Sequence, residues 1–196
     1  MIPREELERI KSIPGEAIGA SLKEDLRFVL RKEGTEGLEK IENELEKLGY
    51  PLKYNEIKTF NWYPFSLNIL ISALAQDLFQ WEDEVFRENG RLSAKISVVL
   101  KILVKSFIGL ENTLKQVGRF WRMYYTVGEA WAEYDKKGRT IVLVASGFTG
   151  HPAFCRNLEG FSWQVFSYHL PTDTLVVTEI ECPFTGGSAH KFQLKW

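Results

Sequence analysis

Residues 175–196 read LVVTEIECPFTGGSAHKFQLKW, two β-rich runs around a segment with paired glycines at Gly186 and Gly187. The runs LVVTEIE and HKFQLKW predict two strands, and the glycines predict the turn that joins them. The same stretch carries Glu179, Cys182 and His190, side chains that zinc accepts as ligands.

Upstream, residues 156–168 predict a helix, preceded by HPAFC with Cys155 near the helix start. Earlier still, the aromatic run Trp121, Tyr124, Tyr125, Val127, Trp131 and Tyr134 is followed by DKKG and then IVLVAS. These two β-rich runs, with a turn signal at residues 136–138, predict a hairpin. The first half is helical in pattern. One helix runs from Pro3 towards Pro14 and a second over residues 15–32. In a third, Leu38, Ile41, Leu45 and Leu48 recur at three- and four-residue spacing before Gly49. Pro64 opens a mostly apolar helix to Leu78, and another pattern runs from Glu82 through Gly90 to Phe107. Helices followed by antiparallel strands predict an α+β fold, with an N-terminal helical layer packed on a C-terminal antiparallel β-sheet.

With 196 residues, 44% apolar and 13% aromatic, the chain is long enough for one sizeable core. A net charge of −1 gives no global attraction to nucleic acid or to an anionic surface. Locally, residues 91–122 hold seven basic side chains against Glu111. Lys101 and Lys105 at helical spacing read as a solvated helix face, so nucleic-acid binding is not expected. No run approaches the roughly 20 apolar residues that cross a bilayer, and MIPREELERI is not a secretory leader. A cytoplasmic location is expected. There is no GxGxxG, Walker loop, GxSxG or HExxH, so catalysis is not expected either.

Cys155, Glu179, Cys182 and His190 together complete a tetrahedral shell, with no position left for a reactive water. Spacing alone leaves two alternatives open: small buried cysteines with a satisfied histidine, or a disulfide. On a regular strand Glu179 and Cys182 point to opposite faces, so convergence requires an irregularity between them. His151 and Glu181 are neighbouring candidates that could replace a named ligand.

The run Cys155-x4-Gly160-Phe161, with Glu179-x2-Cys182-x3-Gly186-x3-His190-x-Phe192, resembles the V4R (4-vinyl reductase-like) domain pattern. Phe86-Arg-Glu-Asn-Gly90-Arg91 resembles that family's helical FxxxGR-like element. The likeness spans residues 35–196, leaving 1–34 as an N-terminal helical extension packed on the domain. V4R domains share a superfamily with haem-based nitric oxide sensors and Bet3-type tethering subunits. The resemblance implies an apolar pocket between helices and sheet, and a structural Zn2+ held by Cys155, Glu179, Cys182 and His190. His190 stands where the sensors commonly carry a third Cys, a change that zinc accommodates.

Phe107, Trp121, Tyr124, Tyr125, Phe148 and Trp163, with Phe120, concentrate where the buried helix is expected to meet the sheet, and are the candidate pocket residues. The resulting expectation is a sensor-type module that binds a hydrophobic or aromatic small molecule and acts in trans on a partner. The resemblance also admits an accessory or enzyme of tetrapyrrole vinyl reduction, and a dimeric Bet3-like interaction protein; a homodimer is expected. No haem is expected. His151, His169 and His190 all fall late in the chain, whereas the nitric oxide sensors of that superfamily use an axial histidine on a mid-chain helix and a YxSxR element, neither of which is visible.

Overall fold

The computed structural model describes residues 2–97, 100 and 109–196. Helix α1 (Arg4–Lys11) leads into a two-stranded antiparallel ribbon, β1 (Glu16–Ile18) with β2 (Trp62–Pro64). Between those strands lies α2 (Gly19–Lys47), 29 residues long and broken at Gly34 by φ 71° and ψ −170°. Only glycine takes that conformation without strain, so two predicted helices become one long element with a bend. Past the bend Leu38, Ile41 and Leu45 are buried, the stripe their spacing predicts.

Helix α3 (Ser66–Phe79) is buried on every side over its first ten residues, because it runs through the helical layer rather than over it. Helix α4 (Asp83–Ile96) follows; the predicted continuation to Phe107 lies outside the described residues. Helix α5 spans Leu110–Tyr124, which corrects the strand expected from Trp121. Leu110, Leu114, Val117, Trp121 and Tyr124 fall at helical spacing, and this stripe overrides the β preference of the aromatics. Among the described residues no helix is long and apolar enough to cross a membrane.

The main sheet contains β3 (Glu129–Asp135), β4 (Thr140–Ser146), β5 (Val176–Glu181) and β6 (His190–Lys195), in the order β3-β4-β6-β5 and antiparallel throughout. The β3–β4 turn is where DKKG predicts it, with Asp135 Oδ1 accepting from the backbone N–H groups of Lys137 and Gly138. In β6 the inward residues His190, Phe192 and Leu194 alternate with Lys191, Gln193 and Lys195. Helix α6 (Pro152–Phe166) lies between the sheet and the helical layer, packed on α3 and α4 on one side and on β5 and β6 on the other. It starts earlier than predicted because the His151 ring accepts a hydrogen bond from Ala153 N at 3.2 Å and Pro152 sits in the first turn. An α+β architecture with a helical layer on an antiparallel sheet is what the pattern predicts.

The α4–α6 contact depends on two glycines. A Cβ on Gly90 would lie 1.9 Å from the Asn157 carbonyl oxygen, and one on Gly160 would lie 2.0 Å from that of Arg87. Backbone cannot yield as a flexible side chain does, so the helices would have to separate. Gly90→Ala is expected to cost about 3 kcal/mol, read as a lower urea midpoint. A loss below about 1 kcal/mol would show that this contact does not hold the layers together.

Candidate functional site

Four side chains from three elements meet at one end of the sheet. Cys155 comes from the first turn of α6, Glu179 from β5, Cys182 from the residue after β5, and His190 from the start of β6. The register between β5 and β6 shifts between Glu179 and Glu181, and this bulge is the irregularity that convergence requires. A turn of 3-10 helix (Pro183–Thr185) and Gly186, at φ 92°, then reverse the chain so that Cys182 and His190 face each other.

The distances within the cluster are 3.9 Å between Cys155 Sγ and Cys182 Sγ, and 3.3 and 3.7 Å from His190 Nδ1 to those sulfurs. Glu179 Oε1 lies 3.5 Å from the same nitrogen. A tetrahedral zinc with bonds of about 2.3 Å to sulfur and about 2.1 Å to nitrogen and oxygen separates its ligand atoms by roughly 3.8 Å for S–S, 3.5 Å for S–N and 3.4 Å for N–O. The four atoms are therefore spaced to accept one ion. Both cysteines are free thiols, which removes the disulfide alternative.

The titration of the site follows from this crowding. The Cys155 thiol is pushed far up, first by its hydrogen bond with Cys182 and then by burial. The Cys182 thiol, on the other side of that bond, is lowered to about 6. Burial would raise the Glu179 carboxyl, yet His190 and Arg156 hold it below its ordinary value. Arg156 donates to both Glu179 and Glu159, and Glu159 in turn accepts from Glu179 N at 2.7 Å and Arg87 Nε at 2.8 Å. The His190 ring stacks on Phe148 at 4.8 Å, and its Nε2 has no partner among the described residues.

The two neighbouring candidates have other roles. Glu181 Oε1 accepts from Ser188 N, Ser188 Oγ and Ala189 N, and its other oxygen pairs with Lys191 at 2.7 Å, so it organises the turn. His151 caps α6 and lies 3.5 Å from Glu6; burial lowers its ring to about 4.

Beside the cluster, a cavity of about 120 Å³ opens between α2, α5, α6 and the inner face of the sheet. Its walls are largely apolar: Phe120, Trp121, Phe154, Leu158, Phe161 and Phe192 are among them. One end is polar. Glu24 and Asp25 of α2 line it, with Ser21, Tyr124, Tyr125 and Asn157. Asp25 accepts from the side-chain amides of Asn89 (2.9 Å), Asn68 (3.0 Å) and Asn157 (3.3 Å). Glu24 accepts from the Tyr124 hydroxyl at 3.3 Å, and that hydroxyl also bonds Ser97. Burial raises the Asp25 carboxyl from 3.8 to about 6, and burial with the adjacent Asp25 raises Glu24 well above its ordinary value.

Of the predicted pocket residues, Trp121, Tyr124 and Tyr125 line the cavity. Phe148 lies behind the wall, stacked between Trp121 and His190. Trp163 instead donates to the Leu175 carbonyl at 3.1 Å, and Phe107 lies outside the described residues. The acidic end was missed. Its signal is present in the sequence: Asp25 falls on the stripe of Leu22, Leu26 and Val29, where a helix should carry only apolar residues.

No protein-family model matches the sequence, and no curated protein matches it. In structure, the chain is similar to an H-NOX protein from S. oneidensis in the Fe(II)NO ligation state, with TM-score 0.66, 13% identity, and coverage of 91% of this chain and 98% of that one. It is likewise similar to an Fe(II) unliganded H-NOX protein from K. algicida, with TM-score 0.62, 15% identity and coverage of 91% and 95%. A third similar structure belongs to work on modulating haem redox potential through protein-induced porphyrin distortion, with TM-score 0.58, 14% identity and coverage of 91% and 99%. These haem-associated neighbours overturn the exclusion of haem, because the absence of a mid-chain histidine removes one type of axial ligand and leaves the likeness of fold untouched. The described cavity walls offer iron oxygen donors only, from Glu24, Asp25, Tyr124 and Tyr125, and enclose the volume of a single ring. At these identities the likeness is one of fold: the chain has the α+β architecture of the H-NOX proteins.

Proposed function

We propose that the chain is a small-molecule-binding module of the V4R type, in which a zinc ion held by Cys155, Glu179, Cys182 and His190 keeps the walls of the cavity in place. The observation that carries this reading is the sharing of elements. Helix α6 supplies Cys155 to the cluster and Phe154, Leu158 and Phe161 to the cavity, while β6 supplies His190 to one and Phe192 to the other. An ion that ties α6 to β5 and β6 therefore sets the cavity's shape. The cluster lacks an open position, which fits a structural role and binding without catalysis.

An engineered cavity of about 150 Å³ holds benzene, so about 120 Å³ suits a single ring. The fold likeness adds tetrapyrroles as a second ligand class, which requires the walls to part. The test is a thermal-shift and native mass spectrometry panel of phenol, a medium-chain fatty acid and hemin, hemin being read also by its visible absorption band. A ligand at a hundredfold its Kd adds about 2.7 kcal/mol, a shift of several degrees in a chain of this size. Ala145→Leu, which fills the cavity from β4, is expected to abolish the shift. If no compound moves the transition, the cavity is packing space and the binding reading falls. The same native spectra read the proposed homodimer.

A further inference from the structure

We infer that the cavity selects a small aromatic amine, its ring among the cavity aromatics and its ammonium group against the Glu24 carboxylate. This rests on the reading of the cavity as a ligand site and adds the class of ligand. Three observations support it, and each concerns the polar end.

First, the charge there is of one sign. Glu24 and Asp25 both line the cavity, and the described lining includes no Lys, Arg or His. Among the described residues Arg27, exposed on α2, is the cation that acts on Glu24, and its effect is the smallest of those present. Asp25 is satisfied by three neutral amides, which solvate a negative charge without cancelling it. An anionic ligand would meet repulsion with no water to screen it.

Second, acceptors outnumber donors. Among the described residues, Glu24 receives long hydrogen bonds from Tyr124, at 3.3 and 3.5 Å to its two oxygens, besides a contribution from Ser97. Behind the lining, Asn68, 0% exposed, spends its amide nitrogen on Ser21 and Asp25 and so has no donor left for Glu24; its own Oδ1 has no partner among the described residues and does not face the cavity. Buried acceptors without donors are costly, and an ammonium brings three donors and no acceptor.

Third, the walls next to the carboxylates are aromatic. The Tyr125 ring lies 4.6 Å from that of Trp121 and 5.7 Å from that of Tyr124 by centroid, and Phe154 and Phe161 border them. Ring faces attract cations, so a protonated amine gains here where a carboxylate does not. The upward displacement of Glu24 accords with this, since an entering cation restores the ionised form that burial disfavours.

The test compares three probes of similar size, ethylbenzene, benzylamine and benzoate, by titration calorimetry on the full chain and on Glu24→Gln. Benzylamine is expected to bind the wild type at least tenfold more tightly than ethylbenzene, with no binding of benzoate. In E24Q the two affinities should come within about twofold of each other while ethylbenzene binding persists. Should E24Q fail to fold, Tyr124→Phe, which leaves the carboxylate in place, must retain the preference for the amine. Ethylbenzene or benzoate binding the wild type as well as benzylamine would overturn the inference and leave the cavity reading standing. So would an amine preference that survives in E24Q. If none of the three binds, both fall.

Discussion

Replacing Cys182 by Ser is expected to remove the bound metal and to lower the melting temperature by about 8–16 °C. Elemental analysis of protein purified without chelator should find close to one zinc per chain in the wild type and none in C182S. The size of the effect follows from linkage. The four ligands come from three elements that meet only in the folded chain, so the binding free energy of the ion is shared with folding. An ion present at a thousandfold its Kd stabilises by about 4 kcal/mol, and in a chain of this size each kcal/mol corresponds to about 2–4 °C. Chelation of the wild type should reproduce the loss, and Glu179→Gln should show a smaller one, because a neutral oxygen still reaches the ion while Arg156 loses one of its two carboxylate partners. A wild-type protein free of metal, or a melting curve unchanged after verified removal, would sink the structural zinc site.

The second large effect has the opposite sign. Asp25→Asn is expected to make the protein more stable at pH 7, by about 1–2 kcal/mol in urea titrations. The folded Asp25 carboxyl is raised from 3.8 to about 6 by burial, so the folded state holds this proton more tightly than the unfolded chain does. The group therefore leaves stability intact below about pH 4, removes it as pH rises from 3.8 to about 6, and costs a constant amount above. That constant is about 3 kcal/mol, and an asparagine cannot incur it. Against this stands the loss of one good acceptor, worth about 1 kcal/mol. The loss is limited because Asn68 Oδ1 has no partner and can receive the new amide if the Asn68 side chain turns over. The difference between variant and wild type should thus open between pH 4 and 6 and then level off. A D25N protein less stable at pH 7, or a difference that does not vary with pH, would refute this account of the acidic end. A protein that keeps such a destabilising group in its interior is consistent with a site maintained for a ligand.

Much of the site could be read from residues alone. Cys155, Glu179, Cys182 and His190 were named from ligand chemistry together with the V4R-like pattern, which is what selects Glu179, and the bulge came from a parity argument, since two residues three apart on a strand cannot share a face without one. The cavity aromatics were partly legible. Trp121, Tyr124 and Tyr125 line it as expected, but as the last turn of a helix and not as a strand. Trp163 and Phe148 were drawn in by composition, which reports that aromatics are near one another and not which way each ring faces.

By itself the sequence determined the α+β class, through period-3.6 stripes in the first half and strand-turn-strand signals in the second, and it named the four side chains proposed here as metal ligands. Those features are local: they depend on spacing within one element or on the chemistry of one side chain. Only the tertiary structure decided that Glu24 and Asp25, at least 88 residues before the cavity walls on α5, α6 and the sheet, form the polar end of the cavity. It also decided that Gly90 and Gly160 bring α4 and α6 into backbone contact. The reason is physical. A carboxylate on an apolar stripe costs free energy wherever it is buried, and which amides, rings and hydroxyls compensate for it depends on segments that meet only when the layers pack.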